Sequence, residues 1–198
     1  MSRSDAGVEP GAPTFAEPAV FADAAAWRAW LEVHEDAHDG GWVVLAKKGT
    51  TSPTSLSYQD ALEVALCSGW IDGQKQSRDG ATFQQRFTPR RARSMWSKRN
   101  VDIIARLDAE GLLRPRGRAE VERAQADGRW ERAYAGSATM DEPEALVAAL
   151  AADPVARSAF DALSRSARYS ALHPIVTAVR PETRARRIAA LVERLREA

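Results

Sequence analysis

Every strand signal in this 198-residue chain lies between Trp42 and Thr88, and from about Ala135 onward only helical patterns remain. A chain divided in this way folds as α+β, with its sheet built early and its later part assembled from helices. Trp42-Val43-Val44-Leu45-Ala46 is a short apolar run between glycines and lysines, the pattern of a strand covered on both faces. Two further runs, 70–78 and 81–88, flank Asp79-Gly80. That dipeptide suits a two-residue hairpin turn, in which both central residues take positive φ.

Helices surround these strands. Asp23 is a plausible N-cap for a stripe of Trp27, Trp30, Leu31 and His34 that ends at Gly40-Gly41. Ser57, with Asp60 three residues on, opens a second helix in capping-box fashion, and Gly69 closes it. Pro89 stops the last strand, and Ser94 is placed to cap a helix whose apolar side runs Trp96, Ile103, Ile104, Leu107 before Gly111. Another helix starts at Pro115. Pro143, Pro154 and Pro181 each mark a first helical turn, and Pro174 is expected to kink the stripe Tyr169, Leu172, Val176, Val179. Residues 1–20 are rich in Ala, Pro, Gly and Glu and carry no apolar period, so they read as a loose tail. The expectation is therefore an α+β protein in three parts. A tail occupies 1–20, a unit over 21–134 holds a small, mainly antiparallel sheet covered by helices, and a helical unit fills 135–198.

With 44% hydrophobic residues the chain can bury a core without disulfides, and its one cysteine, Cys67, excludes both an intrachain bridge and a cysteine-rich zinc site. No apolar run approaches the roughly 18 residues of a membrane span. The amino terminus lacks a basic start followed by an apolar stretch, so the expected location is cytoplasmic.

The net charge of +1 hides an asymmetry. Arg86, Arg90, Arg91, Arg93, Lys98 and Arg99 occupy an acid-free window between Asp79 and Asp102, which carries +6 against −5 for the remainder. Several of these cations fall at the start of the helix expected after Ser94, where the macrodipole already disfavours them by a few tenths of a kcal/mol each. A phosphate or carboxylate ligand, an acid from elsewhere in the fold, or a nucleic-acid backbone would compensate. The preponderance of arginine suits planar, bidentate contacts. The plain alternative is a solvated face with one or two internal ion pairs. Asp72 lies between Trp70 and Gly73 and needs a partner there. A strict two-residue turn sets Asp72 opposite Phe87 and away from Arg86, whereas one extra loop residue sets Asp72 and Arg86 directly across from each other.

His34-Glu35-Asp36-Ala37-His38 matches the H-E-x-x-H zinc pattern literally, but His38 falls where the helix should fray before Gly40, and the remaining histidine, His173, is distant in sequence. An ordinary helix end is the preferred reading, with no metal. Cys67 reads as a small buried hydrophobe. Neither a glycine-rich phosphate loop nor a serine-nucleophile elbow is present.

Several blocks carry a family resemblance. They are Gly-Trp-Ile-Asp-Gly at 69–73, Arg-Phe-Thr-Pro-Arg at 86–90, Ser94-x-Trp96-Ser97 with Asn100, Gly-Arg-Trp at 128–130, and Arg-Pro-Glu-Thr-Arg-Ala-Arg-Arg-Ile at 180–188. In this order, from about Phe21 almost to the carboxyl end, the chain resembles the YdeI/OmpD-associated, or bacteriocin-protection, family. The resemblance implies a part in protection against antimicrobial peptides and envelope stress, with no established reaction and no cofactor. Two departures stand out. Val179 occupies a place where relatives carry lysine, and His173-Pro174 stands near a position where they carry an aromatic pair.

The leading functional expectation is a non-enzymatic binding or protection protein whose partner is an anionic small molecule or an acidic surface. Arg86, Arg90, Arg91 and Ser94 would hold the anion, Trp96 would form an apolar wall, and Asp72 would orient an arginine or accept from the ligand. One alternative is an enzyme on an anionic small molecule with Asp72 as acid or base. Another is a nucleic-acid binder, against which the overall pI of 7.9 counts.

Overall fold

The computed structural model describes residues 17–136 and 139–197. In chain order the elements are α1 (Ala24–His34), β1 (Gly41–Ala46), α2 (Tyr58–Cys67), β2 (Trp70–Ser77), β3 (Thr82–Pro89), α3 (Lys98–Ala109), α4 (Pro115–Ala126), α5 (Glu144–Ala151), α6 (Pro154–Asp161), α7 (Arg165–Val176) and α8 (Pro181–Arg196). The three strands form one antiparallel sheet in the order β1-β3-β2, so the architecture is α+β. Contacts group the chain into two units. The first runs to Ser94 and takes in Ile103–Asp127, and the second comprises Met95–Asp102 with Gly128 onward. The sequence reading drew its boundaries at 20/21 and 134/135. A cut along the sequence has no means of showing which helix packs with which core.

In the first unit, one face of the sheet is covered by α1 and α2. Trp27 and Trp30 stack at 5.6 Å, and the Trp70 ring meets both edge-on at 6.2 and 6.1 Å. Val43, Leu45, Phe83 and Phe87 complete this core with Leu31, Ala61 and Ala65. Buried indoles need acceptors. Trp27 Nε1 donates to the Ala61 carbonyl and Trp70 Nε1 to the Glu35 carbonyl, each at 3.2 Å. Asp23 and Ser57 cap α1 and α2 as expected, each accepting from a backbone N–H three residues on. Part of the expected tail, residues 1–16, lies outside the described residues. Its last part is ordered: buried Ala19 donates to the Trp42 carbonyl and accepts from the Val44 N–H, both at 2.8 Å, which closes the free edge of β1.

The hairpin departs from expectation. Neither Asp79 nor Gly80 has positive φ. The Asp79 carboxylate instead accepts from Ala81 N–H, Thr82 N–H and the Thr82 hydroxyl at 2.9, 2.6 and 2.8 Å, so side-chain acceptors hold the loop rather than a two-residue turn. Ser77 pairs with Phe83, and a bulge between Asp72 and Lys75 takes up the extra residue, leaving Asp72 opposite Phe87.

The second unit is helical. Its core joins Leu146 and Leu150 of α5, Phe160 of α6, Leu172 and Ile175 of α7, and Ile188, Leu191 and Leu195 of α8. Pro154 and Pro181 stand at first helical positions, where a missing N–H costs nothing. Val179, expected on the apolar stripe of α7, lies beyond its end and is 72% exposed. Arginines from α8 cover the chain where α7 ends: Arg187 donates to the Pro174 carbonyl in its last turn and Arg184 to that of Ala178 just beyond it. The cations of the 180–188 block thus cap the helix before them.

His173 sits in this unit between two phenol rings, with centroids 4.7 Å from Tyr134 and 5.5 Å from Tyr169. Burial pushes its imidazole below the ordinary histidine value. The unfolded chain then takes up the proton first. The stability contributed by neutral His173 is whole above about pH 6.5 and is lost as pH falls through that value toward the folded pKa. Urea midpoints should therefore decline as pH falls below about 6.5, and His173→Phe, which keeps a flat ring in place, should flatten this slope. A slope identical in the variant would show that His173 contributes nothing to it.

Candidate functional site: an arginine-lined cleft

The site follows from the alternation of β3. Phe87 is buried in the core, so Arg86 and Thr88 project from the opposite face of the sheet. Trp42 of β1 lies directly across from Arg86 and shares that face. Pro89 ends the strand, and the Arg90 N–H then donates to the Gly69 carbonyl at 3.0 Å, fixing the backbone where it leaves the sheet. Gly69 has φ +68° and closes α2, a left-handed position that favours glycine. Arg91 and Ser94 form a turn, in which the Ser94 hydroxyl accepts from the Arg91 N–H at 3.1 Å.

Arg86, Arg90 and Arg91 come together on one cleft of about 550 Å³, with Asp39, Gln74 and Thr88 also on its wall. Arg86 and Arg91 are exposed, whereas Arg90 is only 5% exposed. Asp39, Gln74 and Thr88 were not singled out from the sequence. They arrive by tertiary pairing: residue 39 precedes β1, whose first residue pairs with Phe87, and Gln74 lies in the β2 bulge.

The remaining candidate residues stand elsewhere. Asp72 shares the face of Phe87 rather than that of Arg86, so it cannot orient Arg86 across the hairpin. Its Oδ2 accepts the Tyr58 hydroxyl at 2.7 Å beside a separate hollow of about 350 Å³ that Lys75 and Phe83 also line. Ser94 does not cap a helix. The segment before α3 is held extended by Tyr134, which donates to the Trp96 carbonyl and accepts from Lys98 N–H, both at 2.9 Å. Ser97 takes the cap position, its hydroxyl accepting from Asn100 N–H at 3.2 Å. The arginines therefore do not converge on a helix N-terminus. Trp96 is 1% exposed with its ring 4.9 Å from that of Trp130 in the second unit, which leaves no face to form a ligand wall.

The H-E-x-x-H match is a helix end. Glu35 is the C-cap of α1, and its carboxylate accepts Arg114 Nε at 2.9 Å and Nη2 at 3.2 Å. The His34 and His38 rings pack against Trp30 at 4.7 and 5.1 Å. Among the described residues no group of three His, Cys, Asp or Glu is placed to hold a metal ion. Cys67 is buried at the end of α2, and burial pushes its thiol up, away from a reactive thiolate.

Residues 139–198 match the family described as bacteriocin-protection, YdeI or OmpD-associated, and residues 19–120 match a domain of unknown function, DUF8412. The chain belongs to the DUF8412 family. Neither a curated protein nor a solved structure matches it. Of the sequence blocks that carried the resemblance, 180–188 lies within the YdeI/OmpD-associated match, while 69–73, 86–90 and the Ser94–Asn100 block lie in the DUF8412 match. The arginine cleft thus belongs to the DUF8412 part. No helix among the described residues is long and apolar enough to cross a membrane.

Proposed function

We propose that this protein binds a small anionic molecule in the cleft of Arg86, Arg90 and Arg91, and that it acts in the cytoplasm as a protective binding protein of the kind the YdeI/OmpD-associated description implies. The supporting observation is that three arginines, separated in sequence by a proline and a strand end, line one concavity. Arg90 is buried and anchored through its backbone, whereas Arg86 and Arg91 are exposed and able to close on a guest. Guanidinium forks match the paired oxygens of phosphate or carboxylate, each charge-assisted bond contributing about 1.5–3 kcal/mol. The enzymatic alternative loses its main support, because Asp72 lies on the other face of the sheet from Arg86.

Titration with inorganic phosphate and with nucleoside monophosphates, followed by calorimetry, tests the reading. Arg86→Ala and Arg91→Ala should each weaken binding about tenfold while leaving the melting temperature nearly unchanged, since both side chains are exposed. Equal affinity in the native protein and both variants would remove the site. Binding that falls steeply with salt and extends to unrelated oligonucleotides would favour a nucleic-acid surface instead.

A further inference from the structure

The cleft is not uniformly positive. Asp39 stands on the same wall as Arg86, Arg90 and Arg91. Asp39 is exposed, and among the described residues it lies within ion-pair distance of no arginine. Its position is imposed by the fold. Gly40, with φ +95°, passes so close to the end of β3 that an added Cβ would lie 2.2 Å from the Phe87 carbonyl oxygen and 2.6 Å from Thr88 Cα. The residue before it is therefore held against the strand that bears Arg86 and Thr88. An acid that served only to neutralise these arginines would close into contact with one of them, since direct pairing in a partly desolvated cleft is worth more than the same charges held apart. Two signs of charge kept separate in one concavity, with Gln74 and Thr88 able to donate or accept hydrogen bonds, complement a guest that itself carries two separated signs.

Resting on the anion-binding reading above, we infer that the guest is a zwitterion, with a phosphate or carboxylate at the arginines and an ammonium group directed at Asp39. A simple anion of the same size would meet the carboxylate as a repulsive neighbour, so Asp39 acts both as a contact and as a filter. An aminoalkyl phosphate has this chemistry, whether as a free molecule or as a lipid headgroup.

Calorimetry with O-phosphoethanolamine and with ethyl phosphate, which differ in the ammonium group, decides the point on native protein, Asp39→Asn and Arg86→Ala. The native protein should prefer O-phosphoethanolamine by about tenfold, a difference matching one charge-assisted contact. Asp39→Asn should abolish the preference, weakening the amine-bearing ligand and slightly strengthening ethyl phosphate. Arg86→Ala should weaken both ligands alike. Equal affinity of native protein for the two ligands, or a preference that survives Asp39→Asn, would overturn the inference and leave the anion site standing. Failure of both ligands and of inorganic phosphate to bind would overturn the anion site itself. Flotation with phosphatidylethanolamine vesicles on a phosphatidylcholine background separates the sources: co-flotation lost in Asp39→Asn assigns the headgroup, and binding of the soluble ligand alone assigns a free molecule.

Discussion

Gly40→Ala is expected to destabilise the protein by about 3–5 kcal/mol, combining a left-handed backbone penalty with overpacking against main-chain atoms. Residue 40 has φ +95°, and a methyl group there would meet the Phe87 carbonyl oxygen at 2.2 Å, Thr88 Cα at 2.6 Å and Thr88 Cγ2 at 2.8 Å. Two of those three atoms are backbone within a paired strand, so no rotamer change relieves the contact. The loop must lift away from β3 and carry with it the start of β1, where Gly41 pairs with Phe87. Equilibrium urea unfolding measures the effect, and a loss smaller than about 1 kcal/mol would show that the loop does not lie as close as described. Because Asp39 is the next residue back, the same change should also erase the preference for an amine-bearing ligand at temperatures where the variant remains folded.

Gly117→Ala should cost about 2–3 kcal/mol for a different reason, since its backbone is ordinary helix. In an isolated helix alanine would be favoured by about 1 kcal/mol. Here α4 crosses the end of α2 so closely that a Cβ on Gly117 would stand 2.2 Å from the Cys67 carbonyl oxygen and 2.8 Å from its carbon. That same oxygen accepts the Arg114 N–H at 3.1 Å just before α4. Opening the crossing by the ångström or more that a methyl demands breaks this bond and uncovers the base of the first core, costs that exceed the gain in helix propensity. Melting temperature and urea midpoint should both fall. A variant as stable as the native protein, or more so, would show that propensity outweighs the crossing.

The two family matches cover different parts of the chain. The description that implies protection attaches to residues 139–198, whose arginines at 184 and 187 are spent on the carbonyl end of α7. The exposed Arg86 and Arg91 of the cleft lie in the DUF8412 part. Variants at Arg86 and Arg91 therefore probe ligand binding without disturbing the helix cap that Arg184 and Arg187 provide.

Much of the fold could be read without coordinates. Local rules suffice where one residue meets a neighbour three or four positions away, and Asp23, Ser57, Pro154 and Pro181 stand at the helix starts assigned to them. Ser94 misled because Ser97 is an equally good cap three residues later, and the choice between them was made by Tyr134, which holds the chain extended up to that point. Trp96 misled because the sequence signals burial and ligand stacking with the same large ring, and only its partner Trp130 distinguishes them.

Composition and periodicity alone determined the class of fold, the number of strands and the presence of an arginine-rich segment after a hairpin, since each depends on side chains close together along the chain. Which face of the sheet each charged group occupies was decided by tertiary structure. A strand's side chains alternate, so the one-residue bulge between Asp72 and Lys75 decides whether Asp72 joins Arg86 or turns from it, and Gly73, the local hint of a bulge, does not fix the pairing on either side of it. The pairing of β1 with β3 and the glycine at residue 40 then set an acid from a distant loop among the arginines, a meeting that no local pattern encodes.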